Sequence, residues 1–197
     1  SNAQAEFARV IYEISKSIHV RAELARSQYL FRIPGPLTDS MFYADPKQAS
    51  RSRNYFSPNI YVPSFRLEWK LNDNWDLQWT CSAVLGTRNS VQFIGFADQA
   101  DAIDPVSLMY KPRQVDIDRF NSYTSELKLN WNYHLFHDGN HFIAGIRYIN
   151  NDLHRRQQGI GTTGTDYNLE ITGDFGRDIH YKTQNAAFYA ENLLRIN

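Results

Sequence analysis

The stretch NYFSPNIYVPSFRLEWKLNDNWDLQWTCSAVLG, Asn54 to Gly86, decides the reading of this chain. Phe65, Leu67, Trp69 and Leu71 alternate with Arg66, Glu68 and Lys70. After Asn72-Asp73-Asn74 the alternation resumes: Trp75, Leu77, Trp79, Cys81, Ala83 and Leu85 stand against Asp76, Gln78, Thr80 and Ser82. Successive side chains of a strand point to opposite faces, so the stretch predicts a hairpin with one apolar and one polar face. Each strand runs about ten residues or longer, above the usual ~5–6 of soluble strands and close to the ~9–11 that cross a bilayer. The polar face carries full charges, which suits a wet lumen as well as a soluble surface.

Outward from this hairpin the same rhythm recurs. Residues 6–31 read as a hairpin turning at Ser15-Lys16-Ser17, although Phe7, Val10, Ile11, Ile14, Ile18, Ala22 and Ala25 also fit one face of a helix. Strands are expected over Asn121–Phe136, over Phe142, Ala144, Ile146 and Tyr148 after a turn at His137-Asp138-Gly139-Asn140, and over Tyr181–Ile196. Long loops are expected at 32–58, 87–120 and 151–180, rich in Pro, Gly, Asp and Arg. Short turns near 15–17, 72–74 and 137–140 therefore alternate with long connections. The chain reads as all-β, an antiparallel meander of about seven long strands with short turns at one end and long loops at the other. That asymmetry is the habit of outer-membrane barrels. Trp69, Trp75, Trp79 and Trp131 gather near the short turns, as amphipathic rings do at a membrane interface. Filling the core of a β-sandwich is the alternative for them.

Composition narrows the function classes. The 197 residues hold Lys+Arg 21 against Asp+Glu 21, a balance that argues against a dedicated nucleic-acid binder. No run approaches the ~18 apolar residues of a membrane helix, which leaves barrel strands untouched. The single Cys81 excludes an internal disulfide and a Cys-rich metal site. Ser1-Asn2-Ala3 reads as a tag scar, and residues 4–197 as one unit, an internal piece without a signal peptide.

The runs RNYFSPNIYVPS (Arg53–Ser64), YKPRQVDIDRFNSYTSEL (Tyr110–Leu127) and RYINNDLHRRQQGIGTTGTDYNL (Arg147–Leu169) resemble the barrel of TonB-dependent outer-membrane receptors, most nearly the ferric-dicitrate-receptor-like branch. The resemblance covers about Pro34 to the C-terminus. It implies part of a transmembrane β-barrel in the outer membrane of a Gram-negative bacterium, with the plug domain absent from this piece. It also implies a ferric chelate or siderophore, ferric citrate in that branch, as transported ligand. Its further partners would be outer-membrane lipid and the TonB complex, the latter reached through the plug. A separated piece of such a barrel is expected to self-associate.

Candidate chemistry is sparse. Arg51, Arg53, Arg88, Arg113, Arg119, Arg155, Arg156 and Arg177 lie in or beside the expected loops, and planar guanidinium groups bind carboxylates bidentately. Arg51, Arg53, Arg113, Arg119, Arg155 and Arg156, with Gln157 and Gln158, are the expected ligand contacts; pairing with neighbouring Asp residues is the alternative. His134, His137 and His141 have a spacing that tempts a metal assignment but straddle a turn. Asp98, Asp101 and Asp104 lack the glycine turn and terminal glutamate of a calcium loop. Gly159, Gly161 and Gly164 lack the Lys-Ser/Thr of a phosphate loop and read as a mobile surface loop. No nucleophile–base order or paired carboxylates are evident, so neither an enzyme nor a resident cofactor is expected. The competing function is a soluble all-β module that recognises sugar or peptide through its loops. A module covers its apolar face with a second sheet, whereas a barrel leaves that face to lipid.

Overall fold

The computed structural model describes residues 2–135 and 137–195, and the side chains of His137 and Asp138 lie outside the described set. The fold is all-β. Eight strands form one antiparallel sheet: β1 (Asn2–Ser15), β2 (Ile18–Arg32), β3 (Tyr55–Lys70), β4 (Trp75–Gln92), β5 (Gln114–Leu135), β6 (His137–Gly161), β7 (Ile171–Thr172) and β8 (Arg177–Leu193). Seven are long, as the alternation predicts, and β7 is a two-residue addition. Each long strand pairs with its sequence neighbour, except that β8 returns to β6 and β7 caps one end of β6. Among the described residues β1 pairs with β2 alone and β8 with β6 alone, so the sheet is not closed into a barrel.

Residues 6–31 form the hairpin β1–β2, which settles their reading against the helix. The expected long loops are shorter than the sequence suggested. Residues 87–92, 114–120 and 151–161 continue β4, β5 and β6, leaving connections at 33–54, 93–113 and 162–176. These extensions hold strand-poor residues such as Asn89 and Asp118, but each is paired on both sides, where cross-strand partners override weak propensity. The first connection contains a short helix, α1 (Asp39–Ala44), whose N-cap Thr38 accepts a hydrogen bond from the N–H of Met41 at 3.3 Å. The pairing of β3 with β4 steps over Val62 and Pro63, where proline has no N–H for the ladder. Asn2 and Ala3, read as a scar, belong to β1 and pair with Leu30 and Tyr29 of β2. Phe136, the expected end of the strand from Asn121, lies outside the described residues, as do the side chains of His137 and Asp138; the turn expected at 137–140 falls within the start of β6. The last strand starts four residues earlier than expected, and its expected final residue Ile196 is outside the described set.

Register separates the two faces. Tyr12, Val20, Leu67, Trp79, Leu127, Ile146 and Phe188 stand side by side across seven strands. The parallel row Glu13, His19, Glu68, Gln78, Lys128, Gly145 and Tyr189 points the other way. On that polar face Arg147 pairs with Glu126 at 2.9 Å, the Tyr189 hydroxyl donates to Glu126 at 2.6 Å, and Arg9 pairs with Glu23 at 2.7 Å. The apolar row is largely uncovered: Trp79 is 41% exposed, Leu127 40% and Phe188 80%. The buried side chains concentrate instead at the long-loop end, around Tyr55, Val91, Phe93 and Val115.

Candidate functional site

The three long connections converge at one end of the sheet, and two arginines tie them together. Arg53, at the end of the first connection, donates from Nε and Nη2 to the Asp101 carboxylate at 2.8 and 2.6 Å. It also donates to the carbonyls of Lys111 at 2.8 Å and of Thr163 and Gly164 at 3.4 and 3.3 Å, and lies 4.3 Å from the Tyr110 ring centre. Arg113 donates to the carbonyls of Arg53 at 2.9 Å and Asp166 at 2.8 Å, and to Thr162 Oγ1 at 3.2 Å. Both side chains are fully buried. Burial, and next the charge of Arg53, pull the Arg113 pKa below the ordinary arginine value. Arg51 plays a smaller version of the same part, donating to the Phe96 carbonyl at 2.9 Å and stacking 5.0 Å over Phe93.

Arg51, Arg53 and Arg113, expected to meet ligand, are thus brought together, but most of their donors go to loop carbonyls, Thr162 and Asp101, while the buried Nε of Arg51 and of Arg113 has no hydrogen-bond partner among the described residues. Backbone carbonyls cannot follow a ligand, so these guanidinium groups hold shape. The charge they carry is only partly offset. Three buried cations share one buried carboxylate, Asp101, with Asp166 exposed and 4.0 Å from Arg113.

A second cluster lies where the polar face meets this end. Arg88 and Arg155 converge on Asp118, at 2.6 Å for Arg88 and 3.0 and 3.1 Å for the two donors of Arg155. Asp118 is nearly buried, while Arg88 remains 41% exposed at its side chain. With Asp116 alongside, the two cations face two carboxylates. Asp116 accepts from Gln114 Nε2 at 2.9 Å and from the N–H of Gln158 at 2.9 Å.

The remaining expected contacts scatter. Arg119 is exposed and sits level with His154 on the opposite face from Asp118. Arg156 lies 5.0 Å over the Phe175 ring. Gln157 is half-buried opposite Arg177, and Gln158 is exposed with φ +63°, bulged out of the ladder. The histidine and aspartate groupings gain nothing. His141 Nδ1 is hydrogen-bonded to Asn132 Oδ1 at 2.6 Å, and the His137 side chain lies outside the described residues. Asp101 is held by Arg53, and Asp104 accepts from the N–H groups of Val106 and Ser107 at 2.9 and 2.8 Å. Among the described residues no three His, Cys, Asp or Glu side chains gather as a metal site. Gly159 and Gly161, read as a mobile loop, lie in β6. The Gly161 N–H donates to the Arg113 carbonyl at 2.7 Å, and a Cβ there would meet Val115 Cγ2 at 2.7 Å.

Sequence reading missed a cleft of about 360 Å3 between the ends of β4, β5 and β6, lined by Phe93, Ile94, Lys111, Pro112, Gln114, Gln158 and Ile160 among others. The one hint of it was the apolar run Val91–Phe96, which interrupts an otherwise polar segment. Tyr55 donates to the Thr165 carbonyl at 2.8 Å and packs edge-on against Tyr167, and Tyr55, Val91 and Val115 belong to the same alternation set as Trp79 and Leu127. The third connection therefore covers the upper end of the apolar face. Searches of known family models, curated proteins and solved structures find no match to this chain.

Proposed function

We propose that this chain is a segment of an outer-membrane β-barrel receptor for a ferric chelate, of the TonB-dependent kind that its sequence resembles. The observation that carries the reading is the apolar face left uncovered across seven strands, backed by a face of paired charges. A soluble sheet buries such a face against a second layer; a lipid-facing one has no need to. All four tryptophans lie in the apolar alternation set, and Trp75 stacks on Trp131 with ring centres 5.2 Å apart near the short turns. From Trp75 to Leu85 that set spans ten residue steps of β4, about 34 Å along the strand at ~3.4 Å each. At a tilt of ~40° this is a height of roughly 26 Å, close to the ~25 Å apolar band of such barrels.

In this reading the open edges of β1 and β8 pair with further strands of a 22-stranded, plugged barrel. Transport would need the plug and the TonB complex that pulls on it, and the loop end would face outside and meet the ligand. The partly compensated loop clamp supplies positive potential for an anionic chelate.

One observation favours the second reading, a soluble binding module: the third connection already covers the top of the apolar face. One experiment separates the two. The purified chain is compared in plain buffer and in detergent micelles, and titrated in each with radiolabelled ferric chelates by equilibrium dialysis. The receptor reading expects association in buffer, a single β-rich species in detergent and saturable chelate uptake there. A stable monomer in buffer that takes up no chelate would hand the case to the binding module.

A further inference from the structure

We infer that His154 and His180 form a two-imidazole site for a divalent transition metal, copper(II) before zinc or nickel, between β6 and the edge strand β8. The site lies on the face that carries Ile146 and Phe188, toward the long-loop end, and it does not depend on which ligand the loops receive. His154 and His180 are direct partners in the antiparallel register, so the two rings leave neighbouring strands at the same level. Their centres lie 5.0 Å apart and their planes 29° apart. A metal about 2.0–2.1 Å from one nitrogen of each ring, with its two bonds at a cis or tetrahedral angle, places ring centres roughly 4.5–5 Å apart. The strand pairing thus already sets the spacing that a shared metal needs.

A second observation is what orients the rings. His154 Nε2 is hydrogen-bonded to Asp178 Oδ1 at 2.6 Å, and His180 Nε2 to Asp152 Oδ1 at 2.7 Å. An ionised carboxylate only accepts, so Nε2 carries the proton on both rings, and in a neutral ring Nδ1 keeps its lone pair. Metal-bound imidazoles are held in this way, by a carboxylate on the nitrogen that does not bind. Neither Nδ1 has a hydrogen-bond partner among the described residues, and the two side chains are 32% and 43% exposed, open to an ion from solvent. Charge helps to decide which ion. Arg119 sits level with His154, Lys182 lies 3.9 Å from Asp152 and Arg156 stands opposite Asp178, so cations outnumber the two carboxylates. A hard ion such as magnesium or calcium, which relies on charge and oxygen ligands, gains little there. Imidazole nitrogen favours the later first-row metals, copper(II) most. Among the described residues no group of three side-chain ligands gathers, so water completes the coordination.

The test uses the full chain in non-ionic detergent micelles, in a buffer that does not bind metals, with copper(II) and magnesium as probes. At one equivalent, copper(II) should give a pulsed electron paramagnetic resonance spectrum modulated by two imidazoles, and it should bind at least ~100-fold more tightly than magnesium. His180→Ala should reduce the modulation to one imidazole and weaken copper binding by about tenfold or more. Because the metal joins two strands, copper should raise the melting temperature of the unaltered chain but not that of His154→Gln with His180→Gln. Both rings are partly exposed, so these variants should fold, and an unchanged far-ultraviolet circular dichroism spectrum would verify it. The spectrum of the unaltered chain tests the inference even if they do not. Copper held there by one imidazole, no copper bound at all, or magnesium bound as tightly as copper would overturn the inference. So would a two-imidazole signal that survives in the double variant, since other histidines would then be its source.

Discussion

Arg53 is the residue on which the loop end depends most. Its side chain and that of Asp101 are both almost fully buried, and its donors reach the second and third connections at once. Removing one partner of a buried ion pair strands the other charge in a poor solvent, at a cost of about 3–5 kcal/mol. Arg53→Met should therefore lower the denaturant midpoint in detergent by that order. Arg53→Met with Asp101→Leu should cost less than the sum of the two single changes, since no charge is then left alone. A single-variant loss under about 1 kcal/mol would show that the pair is solvated and the clamp unimportant. This burial was not legible in the sequence. Arg51, Arg53 and Arg113 sit among Pro, Ser and Asp, where a charged side chain reads as solvated. The carbonyls that bury Arg53 lie as far as 111 residues along the chain, beyond any local pattern. The alternative considered for the loop arginines, pairing with neighbouring aspartates, describes Arg53, Arg88 and Arg155.

At the scale of elements, the alternation of Phe65 to Leu85 was enough to place β3, the short turn and β4, because period-2 patterning over that length has no helical counterpart. It failed at 87–92, 114–120 and 151–161. There both alternation sets carry polar residues, and the strand persists because Arg88, Asp118 and Arg155 satisfy one another across three strands. The helix α1 and strand β7 are too short to leave a periodic trace. The second connection holds a further ordered piece, the turn Asp104–Met109. The Leu108 N–H donates to the Asp104 carbonyl at 2.9 Å, and Leu108 takes a left-handed φ of 57°. The Asp104 carboxylate is held below its usual pKa chiefly by the N–H of Ser107, and next by that of Val106. A depressed carboxylate contributes order above its unfolded pKa of ~3.9, and that order is lost as pH falls through the lower folded value. The amide resonances of Val106 and Ser107 should thus move together on acidification, with a midpoint below that of a free aspartate. Asp104→Ala should abolish the movement. A midpoint at or above the free value would mean that the carboxylate does not cap this turn.

At the scale of the whole molecule, the two faces, the two ends and the two open edges make one argument. Apolar side chains face one way over seven strands, paired charges face the other, and short turns and long connections segregate to opposite ends. The sequence conveyed the faces and the ends through alternation and turn residues. It could not convey that the third connection folds over Tyr55, because that packing joins segments about a hundred residues apart. The central claim is that the apolar face meets lipid, and its tryptophans make that directly measurable. Single-tryptophan versions of the chain, keeping Trp79 or Trp131, would be folded into vesicles whose acyl chains carry bromine at known depths. Lipid exposure predicts strong quenching of both, with Trp79 quenched best by bromine deeper in the bilayer and Trp131 by bromine nearer the interface. Fluorescence indifferent to bromine at every depth, from a chain that is demonstrably β-rich, would contradict the account.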